Sequence, residues 1–153
     1  MCSSDLNVFP LIERAIPDIR LNVVGDNSAS SLATIGKDNI HFTGRLDSIE
    51  EMYNSCRVFI APTRFAAGIP HKIHEAAAKG LPSVTTALLA KQLGWQDGRE
   101  LLVGDTAEEY AAQCIKLYRN ETLWQDVRDA GLTAIAEDCS QETFRENLAG
   151  LFS

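Results

Sequence analysis

The stretch between Val58 and Thr86 constrains the fold most, because two strand-like runs flank one helix-like run. Residues 58–61, Val-Phe-Ile-Ala, are apolar and partly β-branched, which is typical of a buried parallel strand. Residues 71–79 are rich in alanine and end at Gly80, which favours the end of a helix. Residues 83–86 then predict a second strand. The pattern indicates a βαβ unit, whose first loop and helix start lie at the carboxyl edge of the sheet, where open α/β folds bind ligands.

Short strands and helices alternate along the rest of the chain. We expect strands at 21–24, 40–43 and 101–103, and helices at 8–16, 49–55, 107–118 and 121–137. A capping box over Ser48–Glu51 is predicted to start the second helix, and Thr106 to cap the third. Residues 27–38 are expected to form a loop, and a last helix is expected from Ser140 to 152. This order predicts an α/β fold with a doubly wound, mostly parallel, Rossmann-like sheet and a C-terminal helical tail.

The length of the chain and the order of its elements limit how it can be divided into domains. The 153 residues predict a single domain over 1–153, with a poorly patterned start at 1–7 and the helical tail at 107–153. A doubly wound domain normally opens on a strand, whereas this sequence opens on a helix. We therefore expect the first strand to be missing, a central position of the sheet to be empty, and the chain to be part of a longer protein.

The charge and the hydropathy of the sequence limit the classes of partner and the cellular location that we expect for the protein. Lysine and arginine number 14 against 21 aspartates and glutamates, a formal charge of −7, which argues against nucleic acid as a partner. No apolar run approaches the roughly 20 residues that cross a bilayer, and no signal peptide is evident, so we expect a cytoplasmic protein. The four cysteines are scattered, which is typical of reduced, structural thiols.

Several segments, taken in order and at their spacing, resemble the C-terminal half of a GT-B fold glycosyltransferase of the group 1 family. The resemblance covers roughly residues 8–152. Its anchors are Leu-Asn-Val-Val-Gly at 21–25, Ile-His-Phe-Thr-Gly-Arg-Leu at 40–46, Val-Phe-Ile-Ala-Pro-Thr at 58–63, Gly68, Glu-Ala-Ala-Ala-Lys-Gly-Leu-Pro at 75–82 and Leu-Leu-Val at 101–103.

The resemblance implies that this half binds a nucleotide-sugar donor. Glu75 matches the glutamate that holds the ribose hydroxyls in the family, whereas the glutamate placed at the donor sugar would fall at Ala67. Gly68 matches the family, but Pro70 stands where a second glycine is usual and Lys72 where a proline is usual. The implied donor-binding residues are Arg45, Arg64, Gly68, Ile69, Pro70, His71, Lys72 and Glu75. No catalytic residue is assigned.

The chemistry of these residues suits such a donor. A ribose diol needs a carboxylate that accepts two hydrogen bonds, which Glu75 offers. A diphosphate needs backbone amides at a helix N-terminus and a cation, which the Gly68–His71 amides and Lys72 or Arg64 offer. The alternative is that Glu75 only complements the helix dipole, and that Arg45, Arg64 and Lys72 only face solvent.

The same residues bear on other possible functions. The His71-x-x-His74-Glu75 run lacks the second histidine of a zinc-protease motif, so we expect neither a metal nor another cofactor. Ala67 leaves open a catalytically degenerate, transferase-like binding or scaffold module. A response-regulator domain would need acidic residues where Ala61-Pro62 ends the strand. The expected partners are the sugar donor and an N-terminal domain of the same protein, with membrane contact only through an acceptor or that absent part.

Overall fold

The computed structural model describes residues 5–25, 38–63 and 70–140. The predicted loop at 27–38 and the helix predicted from Ser140 to 152 lie almost entirely outside these ranges. The strands are β1 (Leu21–Val24), β2 (Ile40–Gly44), β3 (Phe59–Ala61), β4 (Ser83–Thr85) and β5 (Leu102–Val103). The helices are α1 (Asp5–Ala15), α2 (Glu50–Ser55), α3 (His71–Ala78), α4 (Ala87–Leu93), α5 (Ala107–Arg119) and α6 (Glu121–Asp138).

All described strand pairs are parallel, as the sequence predicts, but they form two separate sheets. In the first sheet β1 pairs with β2, with Leu21 opposite Ile40. In the second sheet β4 lies between β3 and β5, with Val84 opposite both Ile60 and Leu102. The alternation of strands and helices therefore gives the expected α/β fold, with a break in the sheet between β1 and β3.

Helices cover both faces of the three-stranded sheet, because successive strand residues point to opposite faces. On one face the strand residues Ile60, Val84 and Leu102 belong to a core with α1 and α5. On the other face Phe59 and Ala61 pack into a core with α3 and α4. The fold is thus doubly wound. The core residues from the helices include Val8, Ile12, Tyr110, Ala111, Cys114 and Leu117 on the first face, and Ile73, Ala77, Leu89 and Ala90 on the second.

The described part of the helical tail belongs to the core. Helix α5 contributes its buried residues to the first face of the sheet. Helix α6 contacts both cores, because Val127 joins the first and Ala134 and Ile135 pack against the second. Among the described helices, none is both long enough and apolar enough to cross a membrane.

Two local predictions need correction. The capping box over Ser48–Glu51 is wrong: the N-cap of α2 is Ile49, without a side-chain cap, and Ser48 Oγ accepts a 3.3 Å bond from the Glu50 amide instead. The strand after Val58 is only half-buried, because β3 lies at the edge of its sheet. In contrast, the cap at Thr106 is confirmed, since it forms a full capping box with Glu109.

Candidate functional site

The carboxyl ends of β1 and β2 form one side of the ligand edge. The Gly25 amide donates a 2.9 Å hydrogen bond to the Gly44 carbonyl, which holds the two strand ends together. Gly44 has a φ of +68°, a left-handed conformation that glycine adopts without a steric penalty. The chain therefore turns sharply out of β2, and Arg45 directly after it is exposed.

The carboxyl ends of β3 and β4 form the other side of this edge. Thr86 Oγ1 donates a 2.8 Å hydrogen bond to the Thr63 carbonyl, which ties the segment after β3 to the end of β4. Asp105 Oδ1 accepts a 2.9 Å bond from the Ala87 amide, at the start of α4. That helix start is already satisfied by a carboxylate from the protein.

The start of α3 is satisfied differently. Pro70 occupies the N-cap with a φ of −78°, and it offers no side-chain cap. The Ile73 amide bonds to the Pro70 carbonyl at 2.9 Å, whereas the His71 and Lys72 amides find no acceptor in the described parts of the chain. Because both side chains are also exposed, this helix start can receive an anion from solvent.

Glu75 lies on the exposed side of the same helix. Ile73, Ala76 and Ala77 are buried against the sheet, so His71, Lys72 and Glu75 are left facing outward. The structure therefore brings these three predicted residues onto one helix surface. A carboxylate one turn from amides that have no acceptor among the described residues can accept hydrogen bonds from hydroxyls beside a bound anion.

Tyr53 of α2 lies beside Glu75. The sequence alone does not predict that Tyr53 is part of the site. Burial raises the pKa of Tyr53 to about 12, and the charge and hydrogen bond of Glu75 add to the effect. Lys79 Nζ also lies 2.6 Å from Glu50 Oε1, which links α3 to α2 a second time. Only the packing of α2 beside α3 shows which group Tyr53 meets.

His74 faces the protein interior. Its Nε2 atom is buried and has no hydrogen-bond partner among the described residues, and its ring lies 5.4 Å from that of Trp95. Burial lowers the pKa of His74, so the ring is kept neutral. Among the described residues, no three His, Cys, Asp or Glu side chains come together as a metal site would require.

The remaining predicted residues are placed only in part. Among the described residues, no hydrogen bond or ion pair joins Arg45 to α3, so its role in donor binding stays a prediction. Arg64, Gly68 and Ile69 lie outside the described residues, as does Ala67. The described site consequently rests on Pro70, His71, Lys72 and Glu75, with Tyr53 added.

Comparison with known proteins gives one family match and many structural matches. The sequence model of the family described as "Glycosyl transferases group 1" matches residues 5–120. No curated protein matches the sequence significantly.

Similar solved structures share the fold over nearly the whole chain. Anabaena Alr3699/HepE, solved with UDP-glucose, matches with a TM-score of 0.79 at 14% identity, over 96% of this chain and 44% of that one. S. aureus TarM, solved with UDP, matches with a TM-score of 0.83 at 14% identity, over 100% of this chain and 34% of that one. This chain thus spans less than half the length of either protein.

A solved C-terminal domain gives a fuller match in length. The domain of the group 1 glycosyl transferase protein LpcC from Francisella tularensis matches with a TM-score of 0.71 at 14% identity. The match covers 91% of this chain and 81% of that domain. The fold is consequently that of a GT-B C-terminal half.

Proposed function

The chain belongs to the group 1 glycosyl transferases, and on this premise we propose that its α3 edge binds a nucleotide-diphosphate sugar. The observation that carries the proposal is the exposed surface of α3, which combines a lysine and a glutamate with two amides that have no acceptor among the described residues. Solved structures of the same fold contain UDP-glucose in Anabaena Alr3699/HepE and UDP with GlcNAc in the pneumococcal GtfA. These complexes support a UDP-sugar as the first ligand to test.

Each residue has a role in the proposed complex. The amides of His71 and Lys72 and the ammonium group of Lys72 bind the diphosphate. Glu75 accepts hydrogen bonds from the ribose hydroxyls, and Tyr53 holds its carboxylate in place. Arg64, Gly68, Ile69 and Pro70 precede this helix in the sequence, and Arg45 directly follows β2.

The proposed reaction transfers a glycosyl group from the donor to an acceptor. The bond between the sugar and the diphosphate breaks, and the electron pair stays on the diphosphate, so negative charge develops there. The helix amides and Lys72 stabilise this charge, which is the task that a divalent cation performs in other transferases. In this proposal the acceptor binds mainly to a domain outside residues 1–153, so the chain alone binds the donor without transferring its sugar.

Calorimetry with UDP, UDP-glucose and GDP-mannose tests the proposal on the 153-residue chain. We expect heat of binding from at least one of these nucleotides. The Glu75→Gln variant should weaken that binding roughly 10- to 100-fold, because hydrogen bonds to a charged partner contribute about 1.5–3 kcal/mol. Glu108→Gln is the matched control, since Glu108, like Glu75, is an exposed helical glutamate, and it lies in the first turn of α5.

Two results would contradict the proposal. One is the absence of binding by a chain whose far-UV circular dichroism and melting transition show that it is folded. The other is an equal loss of affinity in Glu75→Gln and Glu108→Gln.

The same titrations address the alternative of a degenerate binding module, which Ala67 favours. A site that contacts the sugar binds UDP-glucose more tightly than UDP. A site that has lost this contact binds the two with equal affinity. Equal affinities would support the degenerate module, and a preference for UDP-glucose would argue against it.

A further inference from the structure

Tyr110 of α5 connects the two strands whose carboxyl ends form one side of the ligand edge. Its side chain lies in the core on the first face of the sheet, and the residue is only 2% exposed. Its hydroxyl accepts a 2.9 Å hydrogen bond from the Ala61 amide of β3 and donates one to the Val84 carbonyl of β4. One tyrosine can hold both strands because a hydroxyl accepts and donates at the same time.

The two backbone groups that bond to this hydroxyl also face each other across the sheet. The preceding hydrogen bond between the same strands runs from the Phe59 amide to the Pro82 carbonyl. In a parallel ladder the next amide on this side is that of Ala61, and its acceptor is the Val84 carbonyl. The Tyr110 hydroxyl therefore joins a rung of the ladder at the carboxyl end of β3.

Ala61 is held by side-chain hydroxyls at both of its backbone polar groups. Its amide donates to Tyr110, and its carbonyl accepts a 3.4 Å hydrogen bond from Thr85 Oγ1. Thr85 is fully buried, as Tyr110 nearly is. A buried hydrogen bond is costly to break because water does not replace the lost partner. These two hydroxyls consequently fix the position of Ala61.

Gly104 allows α5 to approach closely enough for the tyrosine to reach the strands. A Cβ atom at Gly104 would lie 2.5 Å from both the amide nitrogen and the Cα of Tyr110. The Gly104 amide also donates a 3.0 Å hydrogen bond to the Thr85 carbonyl. The close approach of α5 therefore lies directly beside the carboxyl end of β4.

The side chain of Ala61 contacts the core beneath the candidate site. It packs against the buried cluster that contains Ile73 and Ala77 of α3. The same helix carries Lys72 and Glu75 on its exposed side. Because side chains in a closely packed core transmit a displacement, a shift of Ala61 moves Ile73 and the helix to which it belongs.

We propose that Tyr110 is a positioning residue of the donor site, because its hydroxyl fixes the end of β3 against which α3, with Lys72 and Glu75, is packed. Without the hydroxyl, the Ala61 amide and the Val84 carbonyl lose their shared partner, and the end of β3 is free to move relative to β4. The effect on donor affinity rests on the proposed function. The link from Tyr110 to α3 can be measured without a ligand.

The first measurement follows the amide ¹H and ¹⁵N resonances of α3 in Tyr110→Phe and Tyr118→Phe variants of the 153-residue chain. Tyr118 is the matched control, because it lies on the same helix about two turns away, where its ring contacts the Arg57 guanidinium. We expect Tyr110→Phe to shift the resonances of Ile73 and Glu75, and Tyr118→Phe to leave them unchanged. Unchanged α3 resonances in Tyr110→Phe would overturn the proposal.

The second measurement is calorimetric titration with UDP, UDP-glucose and GDP-mannose, at a temperature where the melting curves show that every variant is folded. We expect Tyr110→Phe to bind the nucleotide roughly tenfold more weakly than the parent chain does. Cys114→Ala shortens another buried side chain in the same core, so it should lower the melting temperature. Its affinity should stay within about twofold of the parent value, because it removes no bond to β3.

The outcomes of the titration separate positioning from stability. If Tyr110→Phe lowers the melting temperature but keeps the parent affinity, the hydroxyl only stabilises the fold and the proposal is wrong. It is also wrong if Cys114→Ala loses as much affinity as Tyr110→Phe. If the parent chain binds none of the three nucleotides, the proposed donor site fails, together with the role of Tyr110 in affinity. The α3 resonances then still decide whether Tyr110 positions the helix.

Discussion

His74 is a residue whose environment conflicts with its chemistry. A histidine carries ring nitrogens that need hydrogen-bond partners, yet its Nε2 is buried without a partner among the described residues. Burial lowers the pKa of His74 most strongly, the Asp138 carboxylate raises it and the charge of His71 lowers it further. Trp95, against which the ring lies, donates its own hydrogen bond to Asp138 at 3.0 Å. The pocket therefore favours an uncharged ring.

The lowered pKa of His74 sets the sign of a pH effect on stability. Between the folded pKa and the unfolded value of about 6.5, the unfolded chain binds more protons at this site than the folded chain does. The contribution of His74 is thus complete above pH 6.5, and it is lost as the pH falls toward the folded pKa. Protonation of the unfolded chain is what drives this loss.

Replacing the histidine with a ring that cannot titrate should remove this dependence. We expect the Phe ring of His74→Phe to keep the contact with Trp95. Between pH 7.5 and pH 5, the melting temperature of this variant should fall less than that of the parent chain. His41→Gln is the control, because His41 is an exposed histidine. If the melting temperatures of His74→Phe and of the parent chain fall by the same amount over this pH range, His74 does not cause the pH dependence of stability.

At the candidate site, some side chains can be predicted from the sequence and others cannot. Glu75 and Lys72 are predicted from the family resemblance and from their position in a helix that follows a strand, and their roles stay predictions. Tyr53 could not be predicted, because its contact with Glu75 depends on how two helices pack, and no local pattern encodes that distance. The inward face of His74 follows from the same packing, since it depends on where Trp95 lies.

At the level of elements, Gly104 controls how closely β5 and α5 approach. A Cβ atom at Gly104 would lie 2.5 Å from both the Cα and the amide nitrogen of Tyr110. These are backbone atoms of a buried helix, so they cannot move aside as a flexible side chain would. The sequence shows this glycine only as the end of a strand, whereas the structure gives it a packing role.

Gly104→Ala should therefore destabilise the fold by about 1–3 kcal/mol, the range typical of an overpacked core. Gly131→Ala is the matched control, because a Cβ at this position of α6 would make ordinary contacts, at 3.5 Å with the Glu100 carbonyl and at 3.6 Å with the Ala77 side chain. There alanine should be neutral or stabilising, since it suits a helix interior better than glycine. Urea unfolding of both variants measures the difference, and equal midpoints would contradict the role given to Gly104.

The N-caps of two helices differ in how well a local sequence motif predicts where the helix begins. Thr106 followed by Glu109 gives a capping box in both sequence and structure. Ser48 and Glu51 have the same spacing, yet α2 begins at Glu50 with Ile49 as its N-cap. The motif requires the serine to be the residue at which the helix begins, and the spacing alone does not determine that position.

At the level of the whole molecule, the parallel α/β architecture followed from the sequence because each strand and helix has its own period. The sequence predicts one sheet, whereas the described strands form two, with the orders β2-β1 and β3-β4-β5. The contacts that hold the sheet to the last helices could not be predicted, because they join residues that are far apart in the sequence. The contacts of Arg57 are an example.

Arg57 joins the sheet layer to the turn between α5 and α6. It precedes β3, and its Nε donates a 2.8 Å hydrogen bond to the Tyr118 carbonyl. Its guanidinium lies 5.9 Å from the Tyr118 ring centre and 5.3 Å from that of Trp124, whose Nε1 donates a 2.7 Å bond to the Arg57 carbonyl. An ion pair of 2.6 Å with Glu121 completes the contacts.

Arg57→Lys keeps the positive charge but loses the planar group that bonds and stacks at the same time. We expect this variant to lose about 1–2 kcal/mol of unfolding free energy, from one hydrogen bond and two cation–π contacts. Glu121→Gln is the control, and it should lose less, because its carboxylate is 63% exposed and solvent screens the ion pair. Urea unfolding at low and high salt compares the two. If Glu121→Gln is as destabilising as Arg57→Lys, and salt abolishes both effects, the ion pair rather than the rings holds the layers together.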